Sequence, residues 1–279
     1  MVADVPTTAT FLQHNGAMLA VAAAPAEAGA DVDAPLAAFT RATPALLAER
    51  ALLRRIDLKY TLERDRLGAL LAALAADYAV LPVGAGAAAA AVYRNLYLDT
   101  PDLRCFHDHR RGRRIRHKIR IRHYPDRGLS FLEVKTKRGE AVTDKHRRPI
   151  EPGREQLSAA DLAFVRAHAG DLADELAPAA RVDYRRITLL NPHFEERLTI
   201  DLAIEAARQG ARASLGALAI VELKRAPAGP PRTPAMRALA ALGIRERALS
   251  KYCAAMALLD PTIRHNRLRP ALRALQGAS

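Results

Sequence analysis

The segment RRGRRIRHKIRIR, residues 110–122, decides the fold class of this 279-residue chain. Eight of its 13 residues are Arg or Lys. From residue 114 onward the basic residues occupy even positions, and isoleucines occupy three of the odd positions. Because successive side chains of a strand point to opposite faces, the segment predicts a strand with one cationic face and one apolar face. Five like charges on one face repel each other unless anions or carboxylates lie opposite them.

The same alternation recurs in further segments, where carboxylates join the basic face. Three of these segments contain an acid-x-Lys pattern: Asp57-x-Lys59, Glu133-x-Lys135 and Glu222-x-Lys224. A solvated charged face explains a single strand of this kind, but it gives no reason for a repeated pattern. We therefore predict an α+β fold, in which a closed antiparallel β-barrel forms a tunnel with a charged lumen and helices pack on the outside.

Four segments have the periodicity of helices that would cover the apolar outside of this sheet. They span residues 62–78, 156–176, 234–242 and 246–259. A break is expected in the second helix at Gly170, and the last helix ends before Pro261. For most of their length these helices are interpreted as scaffold.

The composition predicts an anionic partner and a reducing environment. The formal net charge is +13 and the isoelectric point is about 10.3, which favours nucleic acids, phosphorylated molecules or acidic surfaces as ligands. The chain has only two cysteines, Cys105 and Cys253, so a disulfide scaffold and a Cys-rich zinc site are excluded. Both are expected to be buried thiols, and a cytoplasmic location is expected. No apolar run reaches the roughly 20 residues of a transmembrane helix.

The distribution of these patterns predicts one central domain with two flanking segments. Residues 1–45 are predicted to be a flexible leader, because their start is rich in Ala, Pro and Asp without periodicity. Residues 46–262 contain all the alternating segments and form the predicted tunnel domain. Residues 263–279 form a basic C-terminal tail. The oligomeric state is left open.

The order of the motifs resembles one known family. Nine motifs follow one another: RRIDLKY (54–60), NLYLDTPDL (95–103), RHKIRIRHY (116–124), FLEVKTKRG (131–139), DKHRRPI (144–150), VDYRRITLL (182–190), ERLTIDLAI (196–204), IVELKR (220–225) and LSKYCAAM (249–256). Together they resemble the vacuolar transporter chaperone (VTC) domain of polyphosphate polymerases, within the CYTH-like superfamily of triphosphate tunnel metalloenzymes.

The resemblance implies an ATP-binding transferase that requires a divalent metal, Mn or Mg. Such a domain moves the terminal phosphoryl group of ATP to a growing polyphosphate chain and releases ADP. Tunnel hydrolases of the superfamily instead cleave triphosphates, and many begin with Glu-x-Glu-x-Lys. Here Arg55, Asp57 and Lys59 occupy those positions, which favours the polymerase class and leaves the role of Asp57 open.

The resemblance also implies roles for individual residues. The implied catalytic residues are Arg120, Arg122, Lys135, Arg186 and Glu222. The implied substrate-binding residues are Lys59, Lys118, Lys145, Arg147, Tyr184, Arg197, Lys224, Ser250 and Lys251. The implied metal ligands are Glu222, Asp201 and Glu133.

Three other functions remain open at this stage. A triphosphatase of the same fold would release phosphate from triphosphates, and a sensor would bind polyphosphate or an inositol phosphate without turnover. A nucleic-acid-binding protein would need a basic outer surface with few carboxylates among the cations. The mixed carboxylates and the low aromatic content, 5%, weigh against it. We therefore expect ATP and polyphosphate as ligands, and no specific nucleic acid.

Overall fold

A computed structural model describes residues 30–50, 55–83, 90–139, 142–215, 217–247 and 249–263. Residues 1–29 of the predicted leader and residues 264–279 of the predicted tail lie outside this part of the chain. The strands are β1 Thr40–Arg41, β2 Ile56–Glu63, β3 Ala79–Val80, β4 Ala90–Asp99, β5 Ile115–Tyr124, β6 Leu129–Arg138, β7 Val142–Ile150, β8 Ala177–Leu190, β9 Glu196–Arg208, β10 Ala211–Ser214 and β11 Leu218–Arg225. The helices are α1 Ala30–Leu36, α2 Pro44–Glu49, α3 Leu67–Leu74, α4 Arg104–Arg111, α5 Ala159–Ala169, α6 Pro234–Ala241 and α7 Lys251–Leu259.

The strands form one large sheet whose main path is antiparallel. Its order is β2-β11-β9-β8-β4-β5-β6-β7, while β10 pairs with β9 and β3 joins β1 to β8. The α+β class and the antiparallel sheet are thus confirmed. The predicted closure is not found, because in the described ranges no hydrogen-bonded ladder connects β2 with β7. The sequence of β7, VTDKHRRPI, explains an open edge: basic side chains and a proline without an N–H group discourage further strand pairing.

The alternation in the deciding segment is confirmed from residue 115 onward. Ile119 and Ile121 of β5 are fully buried, and Lys118 and Arg120 lie on the other face. The first residues of the segment are different, because α4 extends to Arg111 and ends at Gly112. This glycine has φ 71°, the left-handed conformation typical of a helix C-terminus. The basic run therefore begins as a helix end and becomes a strand only at Ile115.

The four predicted helices exist, with corrected boundaries at three of them. The segment 62–78 contains only α3, because residues 62–63 still belong to β2 and Arg64–Arg66 form a 3₁₀ turn. The helix predicted from residue 246 begins at Lys251, where the Ser250 side chain caps it. Glu246 instead forms an isolated bridge with Tyr60. The segment 156–176 contains α5, Ala159–Ala169, which breaks at Gly170 as expected and is followed by a 3₁₀ turn over Gly170–Asp174. The remaining predicted helix is confirmed as α6, Pro234–Ala241.

The helices cover the apolar side of the sheet and bury its core. The largest core cluster joins side chains from α3 and α6 to those of β2, β8, β9 and β11. A second cluster joins α7 to β8 and β9, and a third joins α5 to β5 and β6. Cys105 and Cys253 are both buried free thiols, as predicted. None of the helices described is long and apolar enough to cross a lipid bilayer.

Part of the predicted leader belongs to this core. Val32, Leu36 and Phe39 are each less than 10% exposed and pack in the largest cluster. The sequence pattern predicted a flexible leader here, and the buried side chains of Val32, Leu36 and Phe39 are a contact with the core that this prediction did not include. The pattern was hard to recognise, because α1 and α2 have only 7 and 6 residues, too few to establish a helical period.

If residues 30–45 contribute to the fold, Phe39→Ala will lower the free energy of unfolding by about 3–5 kcal/mol, the usual effect of removing a buried phenylalanine ring. Urea denaturation followed by circular dichroism measures this. Thr40→Ala, at the exposed neighbouring position, is the control and should change stability little. If the two variants have the same free energy of unfolding, residues 30–45 do not contribute to stability and the prediction of a flexible leader stands.

Candidate active site

The charged face of the sheet borders a cavity of about 540 Å³, here called the basic cavity. Thirteen lysine and arginine side chains line it, against only two carboxylates, Asp57 and Glu222. All fourteen residues implied to be catalytic or substrate-binding lie on its wall: Lys59, Lys118, Arg120, Arg122, Lys135, Lys145, Arg147, Tyr184, Arg186, Arg197, Glu222, Lys224, Ser250 and Lys251.

Strand register explains why residues so distant in sequence meet here. Lys135 of β6 lies opposite Lys118 of β5 on one side and opposite Lys145 of β7 on the other. Glu222 of β11 lies opposite Lys59 of β2. Because every strand alternates with period two, in-register pairing puts all these polar side chains on the same face.

Glu133 of β6 is a buried brace between cations of the two neighbouring strands, β5 and β7. Its side chain is 2% exposed and lies directly opposite Arg120 in the β5–β6 ladder. It accepts hydrogen bonds from Arg120 Nε at 2.8 Å and Nη2 at 2.6 Å, and Lys145 Nζ lies at 2.7 Å. Burial acts to raise the pKa of Glu133, but Arg120, Arg122 and Lys145 outweigh it and hold this pKa well below its usual range.

Asp201 has the same role on the other side of the cavity. Its side chain is fully buried and lies opposite Arg186 in the β8–β9 ladder. It accepts from Arg186 Nε at 2.5 Å and Nη2 at 2.8 Å, and it also pairs with Lys251 at the start of α7. The pKa of Asp201 is lowered because these cations outweigh the effect of burial.

These two carboxylates are therefore poorly arranged for the metal binding that the resemblance implies. Neither Glu133 nor Asp201 lines the basic cavity, and cationic partners occupy the oxygens that a metal ion would need. This geometry favours a bracing role, in which each carboxylate fixes the plane of an arginine side chain that faces the cavity. Arg186 donates to both oxygens of Asp201 in a bidentate pair, and both donors of Arg120 converge on Oε2 of Glu133. Charge-assisted pairing of this kind is well suited to that task.

The carboxylates that do face the cavity are Glu222 and Asp57. Glu222 pairs with Lys224 at 2.9 Å, and Asp57 accepts from Arg55 Nε at 2.8 Å. Burial acts to raise the pKa of Glu222, but Lys224 and Lys59 hold it well below its usual range. Glu222 is therefore an anion at neutral pH and can act as a hard oxygen ligand.

Aromatic and amide side chains of β4 contribute to the site, and the sequence analysis did not identify them. Arg122 donates from Nε to Asn95 Oδ1 at 2.7 Å and from Nη2 to the Tyr184 hydroxyl at 2.9 Å. Its guanidinium lies 5.1 Å from the centre of the Tyr93 ring, and Arg120 donates to Tyr97 at 3.1 Å. The sequence did contain a signal for them, because Tyr93, Asn95 and Tyr97 alternate along β4 and so share one face of the strand.

Three lysines of the cavity lack a carboxylate partner. In the part of the chain that the structure describes, no carboxylate lies within ion-pairing distance of Lys59, Lys118 or Lys135. Burial and the charges of Lys59 and Lys135 lower the pKa of Lys118 to about 7. Burial and Lys59 also lower the pKa of Lys135. The cavity is thus suited to bind an anion that would favour the charged form of each lysine.

The start of α7 brings one more cation to the wall. Ser250 accepts from Cys253 N at 3.4 Å as the helix N-cap, and Lys251 is the first helical residue. The next residue, Tyr252, donates to Asp99 Oδ2 at 2.6 Å, and Asp99 also accepts from the first backbone N–H groups of α4. This shared carboxylate fixes α7 relative to the sheet.

Among the described residues, the histidines form no alternative metal site. His117 lies on the outward face, where its Nδ1 is 3.0 Å from Thr136 Oγ1. Throughout the ranges described above, no group of three or more His, Cys, Asp or Glu side chains is arranged to hold a metal ion. A metal in this cavity would therefore need further oxygens from a bound ligand.

The fold and the site together define a class: an antiparallel α+β domain with a basic cavity on the charged face of its sheet. The VTC domain family matches residues 54–260 of the chain. The chain therefore belongs to the VTC domain family, and this membership supports a function that involves phosphoryl groups. No curated protein sequence matches it.

Solved structures with a similar fold have low sequence identity. A proposed adenylate cyclase from Bacillus halodurans is 11% identical with a TM-score of 0.46, covering 71% of this chain and 94% of that one. A proposed adenylyl cyclase from Hippeastrum, described as having a dominant triphosphatase activity, is 14% identical with a TM-score of 0.46, covering 73% and 95%. A conserved hypothetical protein from Pyrococcus furiosus is 12% identical with a TM-score of 0.41, covering 71% and 99%. No functional conclusion rests on these likenesses.

The lowered lysine pKa values predict proton uptake on anion binding. The pKa is lowered to about 7 for Lys118 and to about 8 for Lys145 and Lys224, so the ammonium forms are disfavoured in the empty cavity. Bound phosphates favour those forms and raise each pKa. Tripolyphosphate binding at pH 8 should therefore take up on the order of one proton, and affinity should fall as pH rises from about 7 to 9.

Calorimetric titrations in buffers with different ionisation enthalpies measure this uptake. Lys118→Arg is the matched control, because arginine keeps the charge but does not titrate in this range. It should bind tripolyphosphate with a smaller uptake. The same binding enthalpy in every buffer would contradict the account.

Proposed function

We propose that this protein is a metal-dependent polyphosphate polymerase, a phosphotransferase that adds the γ-phosphoryl group of ATP to a polyphosphate chain inside the basic cavity. One observation carries the proposal: thirteen cations line a single cavity in which only two carboxylates face the interior. A polyanion with closely spaced charges compensates this excess better than isolated anions. Membership of the VTC domain family supports the same conclusion.

The braced arginines provide fixed contacts for the substrate. Glu133 and Asp201 hold Arg120 and Arg186 through Nε and Nη2. A guanidinium fixed in this way does not need to reorganise when phosphate binds, which favours stabilisation of charge in the transition state. The lysines without carboxylate partners would then neutralise the remaining phosphate oxygens.

The donor set of the cavity fits a divalent cation that is held jointly with phosphate. Glu222 and Asp57 would supply the protein ligands, and phosphate oxygens would complete the coordination, as is usual for Mg²⁺ at phosphoryl-transfer sites. When bound, the metal would neutralise part of the charge that develops on the transferred group. Mn²⁺ accepts the same oxygen ligands.

The acceptor in this proposal is a terminal phosphate oxygen of the growing chain. This oxygen forms a new bond to the γ-phosphorus of ATP, the bond from that phosphorus to the β,γ-bridging oxygen breaks, and ADP leaves with the electron pair. A phosphate oxygen is already anionic, so it needs no general base. The pKa values of Glu133, Asp201 and Glu222 are all lowered, which makes these carboxylates weak bases for activating water.

Two alternatives differ from this proposal in their products. A triphosphatase would release inorganic phosphate without chain growth. A sensor of polyphosphate or inositol phosphate would bind its ligand without releasing ADP. Nucleic acid is a weaker candidate, because the cations converge on a cavity and several are paired with buried carboxylates, whereas duplex binding needs an exposed basic surface.

Incubation of the purified protein with ATP and Mn²⁺ tests the proposal. Long-chain polyphosphate should form in step with ADP. Glu222→Ala and Arg122→Ala should each reduce the rate by at least about 100-fold, because each removes a charge that positions or stabilises the transferred group. Arg212→Ala, which removes an exposed arginine of β10, should leave the rate unchanged.

Thermal unfolding of each variant separates lost chemistry from lost folding. Free phosphate without chain growth would replace the proposal with a triphosphatase. Tight binding of polyphosphate without ADP release would replace it with a sensor. An unchanged rate in Glu222→Ala or Arg122→Ala would remove that residue from the mechanism.

A further inference from the structure

Arg122 is held in the basic cavity by a different kind of partner from Arg120 and Arg186. Those two arginines donate to the buried carboxylates of Glu133 and Asp201. Among the described residues, the side chains that hydrogen-bond to Arg122 are all neutral. A carboxylate therefore compensates the charge of two arginines directly, while the charge of the third has no such partner.

The partners of Arg122 are the side chains of Asn95 and Tyr184. Its Nε donates to Asn95 Oδ1 at 2.7 Å, and its Nη2 donates to the Tyr184 hydroxyl at 2.9 Å. The nearest carboxylate oxygen of the described residues, Glu133 Oε2, lies 4.0 Å from Nη1, and Arg120 already donates to that oxygen twice. Because Arg122 lines the cavity, its Nη1 can donate to a bound anion.

The orientation of the Asn95 amide is fixed from both ends. Asn95 is 1% exposed and lies directly opposite Arg122 in the β4–β5 ladder. Its Nδ2 donates to the backbone carbonyl of Val182 at 2.7 Å. Because a carbonyl can only accept, the amide turns its NH₂ group to Val182 and its oxygen to Arg122. The backbone N–H of Asn95 also donates to Asp183 Oδ1 at 3.1 Å, which fixes the residue further.

The hydrogen bonds at position 95 suit an amide better than a carboxylate or a small apolar group. A carboxylate would place an oxygen against the Val182 carbonyl with no hydrogen between them. It would also form an ion pair with Arg122 and so cancel part of the charge that the cavity presents to an anion. An alanine would leave the Nε of Arg122 without its acceptor. The amide fixes the guanidinium and leaves its charge uncompensated.

Aromatic rings complete the neutral surroundings of this arginine. The Arg122 guanidinium lies 5.1 Å from the centre of the Tyr93 ring and 5.9 Å from the centre of the Tyr124 ring. The face of an aromatic ring attracts a cation without carrying a formal charge. These rings therefore limit the movement of the guanidinium, as the Asn95 amide does, and leave its formal charge available to a ligand.

We propose that Asn95 is a positioning residue of the phosphoryl-transfer site, which fixes Arg122 through a neutral acceptor and so preserves the charge that this arginine offers to phosphate. Arg120 and Arg186 are fixed by carboxylates that also compensate them, whereas Arg122 is both fixed and uncompensated. The inference rests on the proposed function, because it assigns a supporting partner to one of the arginines placed in that mechanism.

Affinities of the full-length protein for tripolyphosphate, measured by calorimetry, test the inference with two substitutions at one position. Asn95→Asp keeps the size of the side chain but adds a negative charge beside Arg122, so it should weaken binding at least about tenfold. Asn95→Ala leaves the charge of Arg122 in place and should weaken binding by no more than about threefold. Gln209→Glu makes the same change from amide to carboxylate at an exposed position outside the cavity wall, and it should leave the affinity unchanged.

The rate of ADP release from ATP measures the positioning role separately. Asn95→Ala should lower kcat about tenfold and change KM little, because a guanidinium that is free to rotate still attracts phosphate but no longer meets the transition state in a fixed geometry. Gln209→Glu should leave both constants unchanged. Thermal unfolding of each variant establishes that the proteins compared are folded.

Each other outcome overturns a different claim. If Asn95→Ala weakens tripolyphosphate binding as much as Asn95→Asp, the residue serves the packing of the site and not its charge, and the inference fails. If both variants bind and react like the wild type, the inference fails alone. If the wild type binds tripolyphosphate but releases no ADP, the proposed function fails, while the affinities still decide whether Asn95 preserves the charge of Arg122. If the wild type does not bind tripolyphosphate, both fail together.

Discussion

Repulsion between like charges is the constraint on which the rest of this structure depends. Thirteen lysine and arginine side chains line one cavity, and such a concentration of cations opposes folding unless part of it is compensated. Glu133 and Asp201 provide that compensation, each opposite an arginine in its ladder. Their burial costs desolvation energy, which the paired hydrogen bonds from Arg120 and Arg186 offset. The sheet therefore contains its own partial counterions.

Compensation of these cations is incomplete, and the proposed function depends on the charge that remains. Lys59, Lys118 and Lys135 have no carboxylate partner in the described part of the chain. Adding carboxylate partners for these lysines would stabilise the fold but would weaken anion binding. Stability and the proposed function therefore place opposite requirements on the cavity, as is common at binding sites. The paired cations hold a fixed geometry, while the unpaired ones leave an excess charge that a chain of phosphates would neutralise.

The sequence allowed the sheet and the cavity wall to be predicted, because an alternating strand commits each side chain to one face. Closure could not be predicted, since it depends on the two edge strands, and β7 has the basic residues and proline of an open edge. The bracing role of Glu133 and Asp201 could not be predicted either. In the sequence, a carboxylate that binds a metal and one that braces an arginine both occupy an alternating position on the charged face of a strand. Tyr93 was missed because β4 has no charge alternation to draw attention to its face.

The most direct measurement is thermal unfolding of Lys135→Met with and without tripolyphosphate. The charge of Lys135 adds to the repulsion among the cations of the cavity when no ligand is bound. The account therefore predicts a higher Tm for unliganded Lys135→Met than for the unliganded wild type. It also predicts that tripolyphosphate raises the Tm of the variant much less. Lys137→Met, on the same strand but outside the cavity wall, should show neither effect. A lower Tm for Lys135→Met with undiminished stabilisation by tripolyphosphate would contradict the account, because the unpaired lysine would then serve the fold and not the ligand.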